Sequence, residues 1–341
     1  MCFTALHAAN LLSALAALTL VAGCGTPAAT PVPTTAPAPA TVQPAQPAAT
    51  VFPVTVTDDR GKQVQIKAAP QRIVSTAPSN TEILFALGLD ARIVGVTTNC
   101  NYPEAAKAKP KIGGFRPTLE PIVGQTPDLV VAIQGTPPDV VSGLEGLNVP
   151  VLVLNPPSFD GVLANIRLVG RATGTVNDAE RLASQMQKSW NEIADRARTA
   201  QSKPRVFYEV DGTNPASVFS AGAGTFIDAM IATAGGVNVV AQLVPGQQYP
   251  QVSSEALIQA NPQLIVLGDA PFGQSYETVA ARPGWSAIEA VQKKAVVGLA
   301  DPDVTSRAGP RLVQGLDLVA KAIHPEIFGA PPAVPTAAPR G

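Results

Sequence analysis

Histidine is nearly missing from this chain: 341 residues contain only His7 and His324. A His-rich zinc site and a Ser-His-Asp triad both need imidazole in the cleft, so neither chemistry is open to it. Charge is sparse as well, at 14% of residues against roughly 25% in average soluble chains. Lys and Arg number 24 and Asp and Glu 25, a net charge of −1. A nucleic-acid binder driven by phosphate neutralisation needs a basic face, and that class is excluded. There are three cysteines, Cys2, Cys24 and Cys100, too few for a disulfide framework. Neither a GxxxxGK[ST] phosphate loop nor a GxSxG nucleophile elbow occurs. What is abundant is apolar: 46% of residues are hydrophobic, enough for sizeable cores in about two domains.

The first residues read as an export device. Residues 11–22, LLSALAALTLVA, form an apolar run too short to span a bilayer and of the right length for a signal-peptide core. Met1 to Asn10 carry no Lys or Arg, a departure from the usual basic start of such signals. Val21-Ala22-Gly23-Cys24 follows and resembles the lipobox of bacterial lipoproteins. That resemblance implies cleavage before Cys24, acylation of its sulfur and an extracytoplasmic, lipid-anchored protein. Each buried CH2 of an acyl chain contributes about 0.8 kcal/mol to such an anchor. Pro and Ala then dominate up to Thr50 with no charge, a tether of polyproline character reaching up to roughly 80 Å. The expected organisation is a signal peptide over 1–23, the lipidated Cys and tether over 24–52, an N-terminal lobe over 53–176, a connecting helix over 177–202, a C-terminal lobe over 203–329 and a disordered tail over 330–341.

The folded part reads as two α/β halves. Residues 54–67 alternate apolar and polar around Asp58-Asp59-Arg60-Gly61, a hairpin pattern. Short apolar runs at 72–76, 91–97, 128–133 and 149–154 read as buried strands, with helices opening at Ser79-Asn80-Thr81-Glu82, over 118–125 and over 140–147. Asn177-Asp178 caps a long helix to Ala200 with an apolar stripe of Leu182, Met186, Ile193 and Ala197, read as the connector. Beyond it the pattern predicts strands over 205–210, 263–268 and 294–299 and helices over 223–235, 253–260 and 307–323. Such alternation implies parallel sheets covered by helices, two Rossmann-like lobes with a ligand cleft between them. The halves echo one another: in TLEPIVGQTPDLVVA (118–132) and SSEALIQANPQLIVLG (253–268), Glu120 to Pro127 and Glu255 to Pro262 have the same spacing.

Residues 52–106, from FPVTVTDDRG to NCNYPEAA, resemble the first lobe of the iron-siderophore and cobalamin-type periplasmic binding proteins, the substrate receptors of ABC importers. The likeness continues through KIGGF, LEPIVGQTPDLVVA, SAGAGTFIDAMIATAGGVNV, RPGWSAIEAVQKKAVVGL and SRAGPRLVQGLDLVAKAIHPEIF, about residues 52–328. It implies two lobes joined by one long helix, a largely pre-formed cleft, no catalysis and no resident cofactor. The ligand would be a small-molecule metal chelate, a ferric siderophore or a corrinoid. The partners would be a permease dimer with its ATPase subunits. Glu120 and Glu255 would each meet arginines on one permease subunit; the plainer reading is an acidic first-turn residue favoured by the helix dipole, by about 0.3–1 kcal/mol.

Candidate ligand contacts are Pro78, Ser79 and Asn80, where a strand end meets a helix start and free N–H groups suit a polar ligand edge. Tyr102, Phe115, Arg116 and Arg307 lie in loops after strands; aromatic faces suit a flat macrocycle and Arg an anionic chelate. Packing or solvation is the competing role for each. Trp285 and Cys100 read as core, and no metal site is expected. Two other functions stay open on the residues alone: an exported α/β enzyme, and a sensory or adhesive module on the same fold.

Overall fold

The computed structural model describes residues 50–334. The signal segment, Cys24, most of the tether and the last seven residues lie outside the described residues. The first lobe contains β1 (Val54–Thr57), β2 (Gln63–Ile66), β3 (Ile73–Ser75), α1 (Pro78–Ala86), β4 (Ile93–Val96), α2 (Leu119–Val123), β5 (Leu129–Ile133), α3 (Pro138–Gly146), β6 (Val151–Leu154) and α4 (Phe159–Thr173), followed by the long helix α5 (Val176–Ala197). The second lobe contains β7 (Arg205–Asp211), β8 (Ser217–Ser220), α6 (Phe226–Thr233), β9 (Val237–Asn238), α7 (Val239–Leu243), β10 (Gln251–Ser253), α8 (Ser254–Ala260), β11 (Leu264–Leu267), α9 (Tyr276–Ala280), α10 (Glu289–Gln292), β12 (Val296–Gly298), α11 (Asp303–Ser306), α12 (Leu312–Ile323) and α13 (Pro325–Phe328).

The continuous apolar runs became central parallel strands, because a sheet covered on both faces has no polar side to alternate with. The first sheet runs β4-β3-β5-β6, all parallel, with β3 and β6 buried throughout. Its order reverses between β3 and β5. The second sheet runs β10-β8-β7-β11-β12, with β9 beside β7. Here β7, β9, β11 and β12 are parallel, as expected, and β8 alone runs antiparallel to its neighbours β7 and β10. The short β8 and β10 mix polar and apolar residues and lack the continuous apolar run that marks the central strands in sequence. The hairpin is as expected, β1 pairing with β2 from Val54–Ile66 to Thr57–Gln63.

The connector α5 has one buried face, Ala179, Ala183, Met186, Trp190, Ile193 and Ala197, at alternating spacings of four and three. Its N-cap position is Thr175, without a side-chain cap, so Asn177 and Asp178 lie inside the first turn and do not cap it. The buried face packs on α4, a helix the sequence reading passed over. Gly174 in the left-handed conformation turns one helix into the other. Phe159 stacks on Trp190 with ring centroids 4.0 Å apart, and a Cβ at Gly170 would overlap the Cβ of Ala179. One apolar cluster runs from Ile83, Leu129 and Leu152 of the first lobe through α5 to Val206, Val266 and Leu316 of the second. The lobes therefore share a core.

A further expectation is corrected. The helix expected over 307–323 is broken: α11 ends at Ser306 and α12 begins at Leu312, with Gly309-Pro310 between. Proline has no N–H to give and disfavours helical backbone in the residue before it. Val334, inside the expected tail, packs partly buried against the second lobe's cluster around Trp285, and residues 335–341 lie outside the described residues.

Gly170→Val should push α4 from α5 and lower unfolding free energy by about 1–3 kcal/mol, whereas Gly146→Ala, with open space around its Cβ position, should change it by less than about 1 kcal/mol in either direction. Urea unfolding of the two variants checks this.

Candidate ligand cleft

In an open α/β sheet, ligands bind outside the carboxyl ends of the strands where strand order reverses. That crevice here is a cavity of about 290 Å³. Its first-lobe wall is Pro78, Ser79 and Asn80 after β3, Gln134 and Gly135 after β5, and Asn155 after β6; Phe226 and Arg307 face it from the second lobe. Larger concavities, about 820 Å³ between α5 and α12 and about 630 Å³ along β2, lie away from both strand-order reversals.

Local sequence explains the wall. Pro78 at the first helical position has no N–H, and the first helical bond at this end is Thr81 N–H to the Ala77 carbonyl, 3.1 Å. The amides of Ser79 and Asn80 therefore precede the ladder at the cleft edge. No side chain caps this end, so Ser79, Asn80 and Thr81 are first-turn residues and not the cap the sequence suggested. The Asn80 side chain is 2% exposed and donates to the Val131 carbonyl at 3.1 Å. It fixes α1 on β5 and leaves only its backbone for a ligand.

Of the other expected contacts, Arg307 lines the cavity, but its guanidinium is engaged: Nη1 donates to Glu82 at 2.9 Å and to Asn101 at 2.7 Å, and Nη2 pairs with Asp303 at 2.5 Å. Tyr102 is outside the cavity wall, half-exposed, with the Arg311 guanidinium 4.1 Å from its ring centroid. Phe115 is 66% exposed at the rim; a Cβ at Gly135 would lie 3.8 Å from its Cζ. Arg116 is exposed and, among the described residues, in no ion pair. Cys100 is buried, its sulfur within 3.1 Å of Thr81 Oγ1 and 3.2 Å of Thr97 Oγ1. Trp285 is fully buried and donates to Ser254 Oγ at 2.9 Å.

Glu82 was quoted in sequence only as part of a helix opening. It is 3% exposed, and Arg311 grips it twice, Nε to Oε2 at 3.0 Å and Nη2 to Oε1 at 2.8 Å. Burial works against the Arg311 charge, but Glu82 and Asp301 outweigh it and hold the guanidinium's pKa above the usual arginine value. The signal available in sequence was an acid amid the buried face Ile83-Leu84, a position that demands a partner.

Glu120 and Glu255 sit in the first turns of α2 and α8, exposed and, among the described residues, in no ion pair. Ser253 Oγ accepts from the Ala256 amide, whereas Thr118 makes no side-chain cap bond. Helix-capping thus accounts for neither carboxylate directly.

At the second lobe's own strand-order reversal, between β7 and β11, Gly212 and Arg282 line a concavity of about 290 Å³, narrowed by charged side chains. Glu209 and Arg282 form a buried bidentate pair at 2.5 and 2.7 Å. Asp269 accepts from the Gly212 amide at 2.7 Å, and its other carboxylate oxygen is buried without a partner. Burial, then the Glu209 charge, push the Asp269 pKa up to about 7. Among the described residues, no three His, Cys, Asp or Glu side chains cluster to hold a metal ion.

The family model of the periplasmic binding proteins matches residues 73–302. The chain belongs to this family. It is 34% identical over 282 residues, 82% of this chain and 88% of the relative, to an uncharacterized ABC transporter substrate-binding lipoprotein, YvrC, of Bacillus subtilis. A vitamin B12-binding protein of Pectobacterium atrosepticum is 28% identical over 72% of this chain and 86% of its own length. Among solved structures, the periplasmic heme-binding protein RhuT from Roseiflexus in its apo form superposes with a TM-score of 0.67 at 31% identity, covering 74% of this chain and 98% of that one. The two-lobe fold with its long connecting helix is therefore that of the family. The chain is an extracytoplasmic substrate-binding protein of the ABC-transporter class and not an enzyme.

The raised Asp269 pKa has a definite sign. The folded protein keeps this proton up to about pH 7, while the unfolded chain releases it near 3.8, so the stabilisation is complete below about pH 4 and lost as pH rises through 7. Asp269→Asn should remove that part of the pH dependence, flattening unfolding free energy against pH between 4 and 7. An unchanged slope in urea titrations would refute the assignment.

Proposed function

We propose that the chain is the lipid-anchored receptor of an ABC importer, acylated at Cys24, that takes a corrinoid into the cleft between its lobes and carries it to the permease and its ATPase. Several relatives support the ligand class, being cobalamin- or vitamin B12-binding proteins, among them one of Halobacterium salinarum that is 31% identical over 223 residues. The observation that carries the choice is the charge of the cleft wall. Arg307 is the arginine lining the cavity, and Glu82, Asn101 and Asp303 occupy its guanidinium. Inside the cavity a strongly anionic ferric siderophore would find no free positive charge, the unpaired Arg116 lying outside its wall beside Phe115, whereas a corrinoid's amide-rich edge suits the first-turn amides of Ser79 and Asn80 with Gln134 and Asn155. The cavity admits an edge of a macrocycle and not its whole face, which leaves the exposed Phe115 ring at the rim as a stacking surface.

Glu120 and Glu255 are the docking groups of this reading. Both are exposed, both are free of ion pairs among the described residues, and each sits on a different lobe. One carboxylate per lobe matches a permease of two subunits.

Isothermal titration should give cyanocobalamin a dissociation constant of about 1 μM or tighter, near −8 kcal/mol, with a ferric tris-catecholate at least about tenfold weaker. The double variant Glu120→Ala/Glu255→Ala should bind cyanocobalamin as the parent does while transport in reconstituted vesicles falls by about tenfold or more. A tighter grip on the siderophore would overturn the ligand choice; undiminished transport would overturn the docking role.

A further inference from the structure

Glu82 belongs to the first lobe, on α1, and both of its cationic partners belong to the second, Arg307 and Arg311 between α11 and α12. Around this carboxylate the lobes meet through polar contacts. Asn101 accepts from Arg307 at 2.7 Å and donates to Asp303 at 3.3 Å. Arg311 donates to Asp301 at 2.6 Å and covers the Tyr102 ring. Three carboxylates, those of Glu82, Asp301 and Asp303, thus surround two guanidiniums. The backbone comes as close as the side chains do: a Cβ at Gly309 would lie 3.3 Å from the Ser79 carbonyl oxygen and 3.7 Å from Glu82 Oε2. Ser79 and Arg307 are cleft-lining residues, so this junction forms one end of the cavity.

We infer that Glu82 is the positioning residue of the cleft: its one buried carboxylate, shared by Arg307 and Arg311, pins the second lobe against α1, sets the opening and keeps Arg307 from serving as an anion receptor. The physical argument is the cost asymmetry of buried charge. A buried ion pair adds little net stability over an apolar packing of the same volume, but removing one partner leaves the others uncompensated. Neutralising Glu82 leaves Arg307 paired with Asp303 and Arg311 with Asp301, both carboxylates of the second lobe, so no ion pair ties that lobe to α1 and the lobes can part there and admit water. A bidentate, planar pairing also fixes direction, so Arg311 can hold Glu82 only in a narrow range of lobe angles. The pin does not depend on which ligand the cleft takes.

Hydrogen exchange on the ligand-free full chain tests it. Glu82→Gln should speed amide exchange roughly tenfold in both the 78–86 and the 303–312 segments, on opposite lobes, while the shared core around α4 and α5 stays protected. Glu82→Asp, which keeps the charge, should restore most of that protection, a rescue that a space-filling role would not give. Asn101→Ala, which leaves Glu82 and Arg311 intact, should loosen the 303–312 segment alone; it also serves should Glu82→Gln fail to fold. Exchange raised only in 78–86, or equally in Gln and Asp variants, would overturn the inference. Isothermal titration of haemin, a dicarboxylate, adds a second reading: Arg307, left with Asp303 as its one carboxylate partner in Glu82→Gln, should tighten haemin several-fold relative to cyanocobalamin, and an unchanged ratio would refute the charge-masking half. Failure of cyanocobalamin to bind the parent chain would count against the proposed function and leave the exchange result standing.

Discussion

The cleft depends on one constraint: two separate sheets have to share a single apolar core, and α5 is what makes them share it. Its inward face touches α4 on one side and the second lobe's α12 on the other, within a cluster continuous from Leu152 to Leu316. Each large aliphatic side chain in that cluster contributes about 1.5–3 kcal/mol by leaving water. Separating the lobes along this seam would expose many of them together, so the seam holds. Relative motion is confined to a tilt about it. That is the physical content of a largely pre-formed cleft.

On the cleft side the lobes meet by charge and hydrogen bonds around Glu82. The division is economical. Apolar contact is strong but non-directional, and polar contact is directional but can be exchanged for water or for a ligand. A hinge needs the first at its axis and the second at its mouth. The same polar network decides what the mouth recognises, because arginines spent on Glu82, Asp301 and Asp303 are not free for anions.

Much of this was legible in sequence, and the parts that were not share a cause. Buried strands such as LVVAI at β5 and VLVL at β6 declare themselves as apolar runs, and the α5 stripe declares itself by its spacing. Helix α4 passed unread although it is amphipathic, since its apolar residues sit among Gly161, Gly170 and Asn165, and nothing local says that Gly170 is a helix crossing and not a helix breaker. The short antiparallel strands β8 and β10 depend on pairing with β7 and with each other, a tertiary fact. At the cleft, Pro78, Ser79, Asn80 and Arg307, expected as ligand contacts, line the cavity. Tyr102, expected likewise, lies outside its wall with Arg311 over its ring, a contact no sequence pattern points to. Glu82 and Arg311 are 229 positions apart, and only the folded chain relates them.

The architecture itself offers two crevices, since both sheets reverse strand order, and the chain lines them differently. In the first lobe the loops at the reversal carry Pro78, Ser79 and Gly135, small residues that leave a cavity. In the second, Glu209 and Arg282 place a bidentate ion pair at the strand ends, and Gly212 is glycine because a Cβ there would overlap both. Beside this pair sits Asp269, a carboxyl that burial, and after it the Glu209 charge, keep protonated to about pH 7. Fold alone would have predicted two equivalent lobes. The asymmetry is written in side chains: one lobe presents backbone amides, the other an arginine already neutralised, and a ligand between them is gripped on unequal terms.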